Sequence, residues 1–213
     1  MRKLILFATL LATANCIRIA DDSSCDSDSD EHYGGHGGRP TVTKKPSPPA
    51  TKCEFGWTRV KRASGGWCVK VFSGMTNQQQ AEGYCAQYGA RLSAVESQKE
   101  RETIVELGKE LMISSSGWKI GTLRTGIKRD YFSSPFYSTD GNTQNINNGI
   151  KWGGGEPRQG NYDGGETNCA MIWLWVPGGK ADPNCAHGDF FTMVCHKSWP
   201  DKFRGYVCGK PAV

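Results

Sequence analysis

What the 213-residue sequence lacks narrows its possibilities first. It has no run of about twenty apolar residues, so it encodes no helical membrane span. The longest apolar stretch, Leu4 to Ala14, is about half that length. It has no block of basic residues. Lys+Arg total 26 against 21 Asp+Glu, a formal charge of +5, and from Cys53 onward 19 basic and 15 acidic side chains are scattered along the chain. A nucleic-acid-binding surface would need those cations clustered. There is no Gly-x-Ser-x-Gly elbow, no His-Glu-x-x-His zinc helix and no phosphate-cradling glycine loop. His187 and His196 flank Asp189, but no nucleophile can be placed beside them, so catalysis is not expected. No Asn-x-Ser/Thr triplet occurs, which excludes N-linked glycan. There is no internal repeat.

Other features are present. Arg2 and Lys3 precede the Leu4–Ala14 run, and small residues follow. A basic start, a short apolar centre and a cleavable end make a secretory signal peptide, residues 1–16. Cleavage after Cys16, rather than Ala14, removes one of nine cysteines and leaves an even number. A secreted chain meets an oxidising compartment, where cysteines are read as a disulfide frame. Residues 17–52 form an acidic, Gly-rich and then Pro-rich spacer that cannot bury enough apolar surface to offset chain entropy, so it is expected to be disordered. Asp26, Asp28 and Asp30 alternate like the start of an EF-hand loop, yet Glu31 stands where Gly is needed and Gly37 where Glu is needed. The run is therefore read as solvated. His32 and His36 are read as linker residues.

Residues 53–213 have the size of one domain. Thr76 to Tyr88 reads as a helix, with Thr76 as N-cap, with Ala81, Tyr84, Cys85 and Tyr88 on one face, and with Gly89 ending it. A second helix lies within Ser93–Met112, where Ile104, Leu107, Gly108 and Leu111 recur at helical spacing. From Thr122 to Gly165 Gly, Asn, Ser and Thr dominate, which reads as one long irregular segment of the kind that carries function. Strand-like runs follow at Ala170–Val176 and Gly205–Cys208.

In their order, Cys53-Glu-Phe-Gly-Trp57, Gly66-Trp67-Cys68, Ala81-Glu82 with Cys85, Gly89-Ala90-Arg91-Leu92, Ser93-Ala-Val95-Glu-Ser97 with Glu100, Trp118-Lys-Ile120-Gly121, Asp140-Gly141, Trp152, Gly155-Glu156-Pro157 and Arg204-Gly-Tyr-Val-Cys-Gly-Lys-Pro211 resemble a C-type lectin-like domain. The likeness runs from Cys53 to Ala212 and is closest to the secreted, disulfide-rich long form found in nematodes. The resemblance implies an α+β fold with two helices, small antiparallel sheets and a long binding loop. It implies bridges Cys53–Cys68, Cys85–Cys208 and Cys169–Cys195. Cys25 and Cys185 remain: they pair with each other, or Cys25 joins two chains. By the same resemblance the function is extracellular recognition: of carbohydrate, including microbial glycans in innate defence, or of a protein surface once sugar binding is lost.

Sugar-binding members hold a calcium ion at the loop through Glu-Pro-Asn, a later Glu, and Trp-Asn-Asp. Here Glu156-Pro157 matches, but Arg158 takes the Asn position. An arginine offers five donors and no acceptor, so it cannot be a ligand. Glu166 lies three residues before Cys169, where two is usual, and Thr167 takes its place. The Trp-Asn-Asp positions hold Phe190, Phe191 and Thr192. Glu156 and Glu166 are therefore the candidate metal ligands, with Asp163 and Asp189 as displaced substitutes, and weak calcium binding or none is expected. Trp152, Glu156, Pro157, Arg158, Tyr162 and Glu166 are the candidate ligand-binding residues. Trp173, Trp175, Phe190 and Phe191 offer further rings, one of Trp173 and Trp175 being expected in the core. Arg158 with Lys151 would suit a sulfate or carboxylate. Trp57, Trp67 and Trp118 are expected in the core.

Overall fold

The computed structural model describes residues 52–179 and 183–213. The signal peptide, the spacer up to Thr51, Cys25 and the His32/His36 pair lie outside the described residues.

The sheet starts from two-residue alternation. Along β8 (Cys169–Trp175), Ala170, Ile172 and Leu174 enter the main core, while Met171 and Trp173 pack in a smaller cluster on the other face. β4 (Ile120–Lys128) is buried along seven consecutive residues, as a central strand covered on both sides should be. The Thr122–Gly165 segment read as irregular thus begins as regular strand: the polar Thr122, Arg124 and Thr125 are buried with hydrogen-bond partners, which composition alone cannot reveal. β1 (Thr58–Arg62) and β2 (Gly65–Ser73) form the entry hairpin; β10 (Phe203–Pro211) pairs with β2, β4 with β8, and β8 with β9 (Phe190–Met193). These pairings are antiparallel; that of β10 with β4 is parallel and joins the two halves into one sheet. Two short strands, β3 (Arg91–Leu92) and β5 (Tyr137–Ser138), pair with β10 and β4. β6 (Asn161–Tyr162) and β7 (Gly165–Glu166) make a separate hairpin in the long loop.

Helix α1 spans Gln78–Ala86, and its N-cap is Asn77, one residue beyond Thr76. The Asn77 side chain accepts from Gln80 N–H while the Gln80 side chain reaches back. Ala81 and Cys85 are buried, whereas Tyr84 and Tyr88 stay exposed on the flank. Helix α2 spans Gln98–Ser116, is capped by Ser97 and ends at left-handed Gly117. Its inner face carries Ile104, Val105, Gly108 and Met112. A Cβ on Gly108 would come within 2.6 Å of Leu123, so glycine sets how closely the helix seats on β4. Trp67 is buried, Trp57 half-buried, and Trp118 is 45% exposed just past the helix end, so it is not core.

The bridges are Cys53–Cys68, Cys85–Cys208 and Cys169–Cys195. The second ties α1 to β10. Each such link stabilises by about 2–5 kcal/mol. Lys52 and Val213 exchange backbone hydrogen bonds, so both ends of the domain meet. Under the entry hairpin, Arg62 bonds Glu100 at 2.6 Å and Asp140 at 3.0 Å and also reaches Ser93 and the Ala94 carbonyl, with all three charged side chains fully buried. Asp140, part of the expected loop motif, therefore serves this internal network.

Candidate recognition site

The long loop is built on cations supplied by the chain. Arg129, just past β4, is 97% buried by its 3% residual exposure. Its guanidinium donates to the carbonyls of Arg158 (2.6 Å), Phe132 (3.1 Å) and Thr167 (3.2 Å) and to Asn168 Oδ1 (3.2 Å). It also lies over the rings of Phe136 and Phe132. Burial pushes its pKa below the ordinary guanidinium value, and the nearby Glu166 and Glu156 oppose that shift. One planar donor fork thus fastens both limbs of the loop.

Glu156 is turned inward, with its side chain 3% exposed. Its Oε2 accepts from the main-chain N–H of Arg158 and of Thr192, each at 2.9 Å, and from the Thr192 hydroxyl. Its Oε1 lies 3.5 Å from Arg158 Nη2. The Glu156–Pro157 peptide is cis. Thr192, standing where a carboxylate or amide was expected, is therefore a donor to Glu156. Glu166 is exposed on β7 and accepts from Asn168 Nδ2 at 2.7 Å. Asp163 pairs with Lys197 at 2.9 Å, and that bond, with the Trp199 side chain, holds it below the usual carboxylate range. Asp189 pairs with Lys151 at 2.7 Å and accepts from Ala186 N–H.

These carboxylates do not converge. Among the described residues no three His, Cys, Asp or Glu side chains are grouped to hold a metal. Calcium needs six to eight oxygens. Here the one in-place carboxylate already accepts three hydrogen bonds through Oε2, and its neighbours are Arg158 and a hydroxyl that donates. The residues present do not fit the ion.

The other candidates fall as follows. Trp152 packs half-buried against Phe136 and Phe190, beneath the loop. Arg158 is 58% exposed and Lys151 58%, but each faces its own carboxylate, so they do not form a joint anion site. Trp173 and Trp175 are both half-buried on the outer face of β8. Phe190 is core, and Phe191 packs edge-on to Trp173. His187 Nδ1 accepts from Trp175 N–H at 3.1 Å. Tyr162 is 46% exposed and meets the ring of Trp199 at 5.8 Å, with the planes 72° apart. Sequence reasoning missed Trp199, Asp201 and Lys202, and also the buried arginines 124, 129 and 204. The only signal was Ser-Trp-Pro-Asp-Lys, a turn-rich run with a large ring, between the last two framework cysteines.

This two-helix, disulfide-stapled α+β architecture, with its long loop and cis Glu-Pro, is the C-type lectin-like fold. A model of the C-type lectin domain-containing protein 141/158 family matches residues 58–130. The fold is similar to human lithostathine at TM-score 0.53, with 18% identity over 79% of this chain and 97% of that one. It is similar to the carbohydrate-recognition domain of cow CD23, solved in the presence of a GlcNAc2Man3 oligosaccharide, at TM-score 0.52, with 19% identity over 76% of this chain and 98% of that one. It is also similar to the lectin CEL-I of Cucumaria echinata at TM-score 0.51, with 18% identity over 76% and 99%. No curated protein matches the chain.

Proposed function

We propose that this chain is a secreted recognition protein that binds carbohydrate without calcium. The observation that carries the proposal is the inward Glu156: its carboxylate is used by Thr192 and Arg158, while Arg129 fastens the loop. A loop held by internal donors is ready to bind in the absence of a metal. Carbohydrate is supported by the aromatic rings and ion pairs around the loop, which suit the apolar faces and hydroxyls of sugars. The cow CD23 domain, of similar fold, was solved in the presence of an oligosaccharide, which supports a ligand of that class here. Residues 1–16 are read as a signal peptide and 17–52 as a spacer. Three disulfides suit an oxidising compartment, and among the described residues no helix is long and apolar enough to cross a membrane. Defence at microbial surfaces is the narrower form of this reading, and linkage of two chains through Cys25 its quaternary form.

Retention of the full chain on immobilised glycans, including microbial polysaccharides, tests the proposal. Binding that persists in EGTA supports it; elution by EGTA overturns it. A second reading, a protein ligand, is favoured by one observation. Tyr84 and Tyr88 are exposed beside the stacked Phe72 and Tyr206, and Phe55 and Met75 are exposed as well. Retention on no glycan would favour that reading.

A further inference from the structure

Behind the loop, the β6–β7 hairpin faces the segment that joins Cys195 to β10. Between them lies a cleft of about 310 Å³, lined by Tyr162, Met193, Trp199, Asp201, Lys202 and Arg204. Ligand pockets run roughly 300–1,000 Å³, so this one has room for a small group such as a single sugar ring. Both walls are built. Arg124 is 1% exposed and donates to the Lys197 carbonyl at 2.9 Å. Arg204 is 8% exposed and donates to the Trp199 carbonyl at 2.8 Å, to Thr122 Oγ1 at 2.8 Å and to Asp201 Oδ1 at 2.6 Å. Arg124 has no carboxylate of its own, and burial pushes it down to about 10. Two buried guanidinium groups are thus spent holding the main chain on either side of Ser198. The opposite wall is fixed by Arg129 through Arg158 and Thr167, and Lys197 ties the walls together through both the carbonyl and the carboxylate of Asp163.

We propose that this cleft is a sugar subsite, taking one neutral pyranose ring of a glycan against the Tyr162–Trp199 corner with its hydroxyls on the Asp201–Lys202 pair. The inference rests on the carbohydrate reading above and locates it away from the Glu156 position. The two rings meet edge to face and Tyr162 is 46% exposed, so aromatic surface is available to the apolar side of a pyranose. Asp201 lies 2.6 Å from Lys202 and has its side chain 55% exposed. An acceptor and a donor side by side match two adjacent hydroxyls. Lys197, Lys202 and Arg204 each face a carboxylate, which leaves no open cation for a sulfate or a uronic acid. A larger hollow of about 450 Å³ beside α1 is less suited, because no aromatic side chain lines it.

The test applies the full chain to a printed array of neutral and anionic oligosaccharides in EGTA, followed by titration calorimetry with the best-retained one. The expected result is a neutral oligosaccharide whose binding weakens about tenfold or more in Tyr162→Ala and in Trp199→Ala. Tyr84→Ala, on α1 and outside the cleft lining, should leave it unchanged. Should Trp199→Ala fail to fold, Tyr162→Ala decides, since that side chain is 46% exposed, with Lys202→Ala as the second variant. Sugar binding that is intact in these variants overturns the cleft and leaves the carbohydrate reading standing. Binding confined to sulfated or acidic glycans also overturns it. Retention on no glycan in EGTA removes both readings.

Discussion

Replacing Arg129 by alanine probes the loop's own fastening. The side chain donates to four acceptors, Phe132 O, Arg158 O, Thr167 O and Asn168 Oδ1. A buried acceptor stripped of its donor costs about 1–3 kcal/mol. Because the loop can open and let water reach some of these carbonyls, the net cost should lie near the cost of one or two orphans, about 3 kcal/mol. For a domain of this size each kcal/mol lowers Tm by roughly 2–4 °C, so Arg129→Ala should melt roughly 6–12 °C below the parent. The loss should be local in origin: amide exchange should quicken across residues 156–168 and stay slow in α2 and β4. Arg129→Lys should recover little, because one ammonium cannot span four acceptors in a plane. Scanning calorimetry with hydrogen exchange by mass spectrometry reads both effects. An unchanged Tm with unchanged exchange over 156–168 would refute the idea that this guanidinium holds the loop.

Arg62→Met strands Glu100 and Asp140 in the core, and breaking such a buried pair costs about 3–5 kcal/mol, so calorimetry should show a fall of roughly 6–20 °C; a shift of about 2 °C or less would refute the network's role. Gly126→Ala would put a methyl 2.0 Å from the Leu92 carbonyl, so the unfolding free energy read from urea curves should drop by about 1–3 kcal/mol or expression should fail; a neutral variant contradicts the close seating of β3 on β4. Burial holds His187 below its usual 6.5, with Glu106 opposing and Lys109 adding to the shift. The unfolded chain therefore takes up a proton first, and stability should fall as pH drops below about 6.5 toward the folded value. Melting at pH 7.5 and 5.5 should show that fall, and His187→Gln should flatten it; a variant with the same slope clears this residue.

The framework was open to sequence reading because cysteine spacing and short motifs are local. Cys85 and Cys208 are bridged across 123 residues, yet each sits in a recognisable neighbourhood. The departures from the expected Glu-Pro-Asn and Trp-Asn-Asp pattern were open for the same reason: Arg158 and Thr192 stand at counted positions from Pro157 and Cys195. How Glu156 is used was not open. Its carboxylate turns inward because Thr192, 36 residues away, supplies donors, and no pattern in either segment announces the pair. The sequence of β4 reads as loop because Thr122, Arg124 and Thr125 look solvent-loving until their partners in β8, β10 and α1 are known. Trp118 reads as core from the sequence, yet the left-handed turn at Gly117 leaves it on the surface. Trp199 and Asp201 form a wall only after Arg124 and Arg204 gather the carbonyls around them.

A calcium titration of the full chain, read as heat of binding and as melting in calcium against EGTA, bears most directly on whether internal guanidinium groups stand in for the metal. The account predicts no saturable heat and identical melting curves. Calcium held at a hundred times its Kd would add about 2.7 kcal/mol, or roughly 5–11 °C in Tm; a saturable heat with a rise of that size would contradict it.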